Sequence, residues 1–127
     1  MATRRAVIAS AALAPLATAE AATPVPSRAI RRTTLSRIEA AGRVTLVQRL
    51  ELPAGVTLAR HSHPGAETTR VLAGAIALDL AGTRRTLRAG DAVTIPAGAP
   101  HSARSLGPAT LVVTWRGRSD EPLATPA

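Results

Sequence analysis

Along the middle of the chain, apolar residues recur at every second position. Val44, Leu46, Leu50 and Leu52 share one face of a run whose other face carries Thr45, Val47, Arg49 and Glu51. A period of two marks a half-buried strand, and Gln48 is the one polar residue that falls on the apolar face. Pro53-Ala54-Gly55 ends the run. Ile76, Leu78 and Leu80 alternate with Ala75, Ala77 and Asp79, and Ala81-Gly82 then turns the chain into Thr83 to Leu87, a pattern that predicts a β-hairpin. Val93-Thr94-Ile95 predicts a short strand stopped by Pro96, and the β-branched, apolar stretch from Leu111 to Trp115 predicts the last one. No part of this region holds an apolar period of 3.6 over ten residues. Short strands between Gly and Pro turns predict an all-β sandwich or barrel.

The two ends break this pattern. Thr3-Arg4-Arg5 opens a charged start, followed by a weakly apolar run from Ala6 to Ala17 that is too short to span a bilayer as a helix. Ala17-Thr18-Ala19 and Ala19-Glu20-Ala21 are small-x-small sites, so residues 1–21 are expected to form a secretory signal peptide. The start Thr3-Arg4-Arg5-Ala6-Val7-Ile8 also resembles a twin-arginine export signal, and both export routes stay open. Residues 22–32, with Pro24 and Pro26, read as a linker. Residues 118–127, with Pro122 and Pro126, read as an extended tail, which leaves 33–117 as a single β domain. The expected location is the periplasm or outside the cell, with no membrane contact after signal cleavage.

Composition narrows the chemistry. The 127 residues include no Cys, which excludes disulfide scaffolds, thiolate zinc fingers and cysteine nucleophiles. Phe and Tyr are absent and Trp115 is the only aromatic, so the core and any pocket must be aliphatic. All 16 basic residues are Arg, and the formal net charge is +8. These Arg are scattered and have no aromatics between them on which bases would stack, so nucleic acid is not expected as a partner.

The chain has three His, and two of them, His61 and His63, are one residue apart. Glu67 follows beyond Pro64-Gly65, which can bend the chain and bring the carboxylate back. Imidazole and carboxylate are ligands that Fe, Mn, Ni, Cu and Zn all accept. Two neighbouring His cannot surround an ion alone, so His101 would have to arrive from another strand.

At these positions the chain resembles the cupin superfamily. Its first motif, G-x5-H-x-H-x3-E-x6-G, is met by Gly55, His61, His63, Glu67 and Gly74 with every spacer of the right length. Its second, G-x5-P-x-G-x2-H-x3-N, is met by Gly90, Pro96, Gly98 and His101, with Ser105 at the final position in place of Asn. The resemblance covers residues 55–105 and is to the small, single-domain, exported members. It implies a single antiparallel jelly-roll β-barrel, with one divalent transition metal (Fe, Mn, Ni, Cu or Zn) on His61, His63, Glu67 and His101. Because Ser105 replaces a residue that is not a ligand, the metal set stands. A second copy is expected to cover the exposed sheet edges as a homodimer.

Family activities range over dioxygenases, isomerases, decarboxylases, oxalate enzymes, storage proteins and sugar-binding regulators, so the fold does not name a reaction. Two classes stay open. One is an oxygenase-like metalloenzyme acting on a small oxygen-chelating molecule, with Glu67 as a candidate base. The other is a non-catalytic, metal-dependent binding or sensing module. Arg60 and Arg104, in antiphase to His61 and His101, are expected to face outward. Trp115 is expected to pack rather than to stack on a ligand, and the Ala, Val, Thr and Ser around the ligands predict little support behind them.

Overall fold

The computed structural model describes residues 25–126, so the expected signal peptide and residues 22–24 lie outside the described residues. A single 3₁₀ turn, Ser27–Ala29, precedes ten strands: β1 Arg31–Ala40, β2 Arg43–Leu52, β3 Thr57–Ser62, β4 Glu67–Ala73, β5 Ala75–Leu80, β6 Thr83–Arg88, β7 Ala92–Ile95, β8 His101–Ser105, β9 Ala109–Arg118 and β10 Thr125–Pro126. They form two antiparallel sheets, ordered β1-β2-β9-β4-β7 and β10-β3-β8-β5-β6. The molecule is the all-β jelly roll expected from the sequence.

Two tight hairpins set the registers. Ala41 and Gly42 both have positive φ (53° and 75°), as do Ala81 and Gly82 (50° and 82°). Two consecutive residues of this hand match the right-handed twist of the flanking strands. β2 then pairs with β9 without interruption, from Arg43 opposite Arg118 to Leu52 opposite Ala109. The turn from β3 to β4 packs against β9, where a Cβ on Gly65 would run into the Arg116 carbonyl. Only glycine lets the bend lie so close, and this approach carries Glu67 into line with Trp115.

The core lies between the sheets. Leu50, Leu52, Val71, Leu111 and Val113 face Ile76, Leu78 and Leu87, all of them buried. Each such side chain contributes about 1.5–3 kcal/mol on burial. The aliphatic residues of this small barrel therefore suffice without Phe or Tyr.

Order extends beyond the strand-rich span on both sides. Ile30 is buried in the core, and Val25 forms a bridge to Val56. At the other end, Thr125 and Pro126 pair with Ser62 and His61 of β3. β1 carries no alternation that a sequence reading could find. It is an edge strand with a register shift between Thr34 and Ser36, and its Leu35 and Ile38 are exposed. No helix among the described residues is long and apolar enough to cross a membrane.

Candidate metal centre

The four residues singled out in the sequence come together. His61 lies on β3 directly opposite His101 at the start of β8, and His63 follows at the bend that ends β3. Glu67 opens β4 on the other sheet, so the cluster bridges the two layers. One ligand atom from each of the four lies within 4.8 Å of all the others. His63, Glu67 and His101 are buried, and His61 is partly exposed.

Backbone carbonyls decide which imidazole nitrogen is free. The Nδ1–H groups of His61, His63 and His101 donate to the carbonyls of Ala59 (2.7 Å), Leu123 (2.8 Å) and Ala99 (3.0 Å). A carbonyl can only accept, so each Nδ1 carries the proton and each Nε2 presents a lone pair. His101 Nε2 is buried with no hydrogen-bond partner. His63 Nε2 lies 2.8 Å from Glu67 Oε1, and His101 Nε2 lies 3.7 Å from the same oxygen. Two acceptors at 2.8 Å require a positive charge, either a proton or a cation that both ligate. Around an ion with bonds of 2.0–2.2 Å, neighbouring ligands sit roughly 2.8–3.1 Å apart and opposite ones roughly 4.0–4.4 Å. The cluster fits a single divalent transition ion after movements of a few tenths of an ångström.

Glu67 is firmly held. Trp115 Nε1–H donates to its Oε1 at 3.0 Å, and the Thr69 hydroxyl donates to Oε2 at 2.6 Å. Burial alone would raise its pKa, but the His101 and His63 imidazoles and the Thr69 hydroxyl outweigh it. They hold the carboxyl well below the usual carboxylate range. A carboxylate fixed at both oxygens, with so little affinity for a proton, suits a ligand better than a mobile base. Burial, assisted by the charges of His101 and His63 and opposed by the Ala59 carbonyl, lowers His61. At His101 burial works in the same direction, but Glu67 and the Ala99 carbonyl overcome it and raise the imidazole above its ordinary value.

Support behind the ligands, expected to be sparse, is present in full, and much of it comes from groups that motif spacing does not reveal. Thr69 could have been found, since it lies two residues past Glu67 on the same strand face. Trp115 both packs in the core and binds Glu67, a role set by cross-strand register. Leu123 acts through its backbone, from a segment that returns across β3. Ser105 serves the scaffold: its hydroxyl donates to the Pro53 carbonyl (2.5 Å) and accepts from the Val56 N–H (2.8 Å).

The cluster sits on the wall of a cavity of about 500 Å³. Leu50, Leu58, Ile76, Leu78, Leu111 and Val113 make most of the lining apolar, and Ser27, Arg32 and Gln48 are its polar exceptions away from the cluster. Arg60 and Arg104 are exposed, as expected, and neither lines the cavity. Asp91 accepts a hydrogen bond from the Arg88 N–H in a turn, and Asp79 pairs with Arg84 at 3.7 Å. Both act away from the centre.

The family model of the cupin domain matches residues 48–115, a span that contains all four residues of the cluster. The chain belongs to the cupin family. No curated protein matches this cupin in sequence. Among solved structures, it is similar to the DMSP lyase DddQ from Ruegeria pomeroyi DSS-3, at 29% identity and a TM-score of 0.64, over 77% of this chain and 51% of that one. It thus spans about half of that lyase. KdgF from a Halomonas species is 25% identical, with a TM-score of 0.62, over 74% of this chain and 84% of the other. An oxalate oxidase in complex with glycolate is 23% identical, with a TM-score of 0.63, over 79% and 56% of the two chains, a likeness of fold.

Proposed function

We propose that this cupin is an exported, mononuclear metal-dependent enzyme that acts on a small, oxygen-chelating molecule in an oxygenase-like reaction. The observation that carries the reading is the convergence of three fixed imidazole Nε2 atoms and one ionised carboxylate beside an aliphatic cavity. A bound divalent ion would supply a Lewis acid and a template for substrate oxygens. The chain's own contribution is placement. The three carbonyls hold the imidazoles in the required tautomer, Trp115 and Thr69 fix the two oxygens of Glu67, and the apolar walls keep water from the body of a substrate. The likeness to a DMSP lyase adds elimination to the reactions worth screening.

A second reading, a non-catalytic metal-dependent binding module, is favoured by one observation. Beyond the four ligands, the only ionisable side chain that lines the cavity is Arg32, so no spare general acid or base is at hand. Oxygen uptake by Fe- and Mn-loaded protein, screened with catechols, β-diketones and enols, separates the two. Turnover supports the enzyme; saturable ligand binding with no uptake or elimination under any metal supports the module. Export is part of the proposal through residues 1–21, and an intact Met1 on the bulk of the protein would refute it. Homodimerisation through the exposed edge strand β1 belongs to it as well, and sedimentation tests that.

A further inference from the structure

Gln48 interrupts the apolar face of β2, and the metal centre does not account for it. In the structure it belongs to a polar corner of the cavity. Thr34 lies directly opposite Gln48 on β1, and the Gln48 amide donates to the Thr34 hydroxyl at 3.1 Å. One step along the same pair of strands, Arg32 lies opposite Leu50. Residues directly opposite in an antiparallel pair share a sheet face. Arg32 therefore shares the inner face with Leu50, and both line the cavity.

Its neighbour behaves differently. Arg31 pairs with Glu51 at 3.6 Å on the opposite face. Arg32 has no carboxylate within 4.0 Å among the described residues, although most acidic side chains there have an Arg or His partner. A guanidinium at the edge of an apolar cavity, unanswered by any acid among the described residues, suits an anion.

We infer that Arg32, with Gln48 beside it, binds an anionic group at the far end of the ligand whose oxygen head lies at the metal centre. The substrate class is then an aliphatic molecule with an oxygen donor at one end and a carboxylate or similar anion at the other. The inference rests on the metal-centre reading for the head group and on Arg32 for the tail. The row Arg32-Leu50-Leu111-Val71 crosses four strands, and Glu67 lies four residues from Val71 on β4. With strands about 4.8 Å apart and residues about 3.4 Å apart, the Arg32 and Glu67 Cα atoms are at most roughly 20 Å from each other. The two side chains and a ligand body of several carbons together close a gap of that size.

The test uses Trp115, the chain's only aromatic, as its reporter, since it lines the same cavity. Zinc-loaded protein is titrated with succinate, adipate, suberate and sebacate, and with monocarboxylates of equal length, while indole fluorescence is followed. The longer dicarboxylates should bind about tenfold more tightly than the matching monocarboxylates, a modest factor because Arg32 keeps contact with water. Arg32→Gln should abolish that advantage, and Arg32→Lys should restore part of it. An equal affinity for both series, or an advantage that survives in R32Q, overturns the inference. Failure to load zinc would refute the metal reading but not this one. In metal-free protein, octanoate should then outbind 1-octanol in wild type and lose its preference in R32Q, and a preference unchanged in R32Q overturns the role of Arg32.

Discussion

Trp115 and Glu67 face each other in register across β9 and β4, and the indole N–H donates to the carboxylate at 3.0 Å. The contact joins the core to the metal centre. Trp115→Phe keeps most of the packing and removes the donor. The expected product is a folded protein destabilised by about 1 kcal/mol, with a melting temperature lower by about 4–8 °C. Its zinc affinity should fall by about 10–100-fold, as for other groups that orient a ligand. Calorimetric titration reads this directly, and an affinity equal to wild type would deny Trp115 its positioning role.

His101 presents a buried Nε2 with no hydrogen-bond partner among the described residues, a place a cation can fill. Metal binding to the folded state alone should stabilise the protein by about 2.7 kcal/mol at a free concentration one hundred times the dissociation constant. At about 4–8 °C per kcal/mol for a domain of this size, the melting temperature should rise by at least about 10 °C. In His101→Ala the same ion should produce little or no rise. A comparable rise in wild type and H101A would place the ion elsewhere.

Protons compete with the metal for the same nitrogens. His101, despite burial, is raised above its ordinary value by Glu67 and the Ala99 carbonyl, so protons compete for its Nε2 up to a higher pH than at an ordinary imidazole. His61 is lowered and takes up a proton only in more acid solution. Metal affinity should therefore fall as the solution is acidified, first through His101 and at lower pH through His61 as well, by up to about tenfold per pH unit for each. Zinc titrations at three pH values check the slope, and a flat profile would mean that His101 is not a ligand.

Ser105 connects β8 to the backbone at Pro53 and Val56 through two hydrogen bonds and is itself 1% exposed. Ser105→Ala leaves a buried N–H and a carbonyl to find other partners. The cost should be about 2–4 kcal/mol, judged by denaturant melts. Metal stoichiometry in the folded fraction should stay at one, which separates the scaffold role of this residue from that of the ligands.

Removal of residues 123–127 withdraws the carbonyl that holds His63 Nδ1–H and the strand that pairs with His61 and Ser62. Truncation should weaken zinc binding by about 10–100-fold and let the His63 ring exchange tautomers, visible in its ¹⁵N shifts. A truncated protein with wild-type affinity and a single His63 tautomer would show that the segment is dispensable.

Legibility in the sequence followed burial. β2, β5, β7 and β9 each bury one face, so apolar residues at alternate positions announced them, and β6 followed from the Ala81-Gly82 turn. β1 escaped because most of it is exposed at a sheet edge and a register shift breaks its period. The ligands were found through the spacing of His61, His63, Glu67 and His101. Their supports were not, because Trp115 and Leu123 act from 48 and 60 residues away, through a cross-strand register and a main-chain carbonyl. Arg32 was placed in a linker, since only its pairing with Leu50 turns it towards the cavity.

The hydrogen bond from His63 to Leu123 also sets an order of events. During synthesis His63 emerges 60 residues before the carbonyl that orients it. Until that last segment docks, the ring is free to turn, and the four ligand atoms do not form one cage. An ion held as proposed would be captured only once this segment has docked.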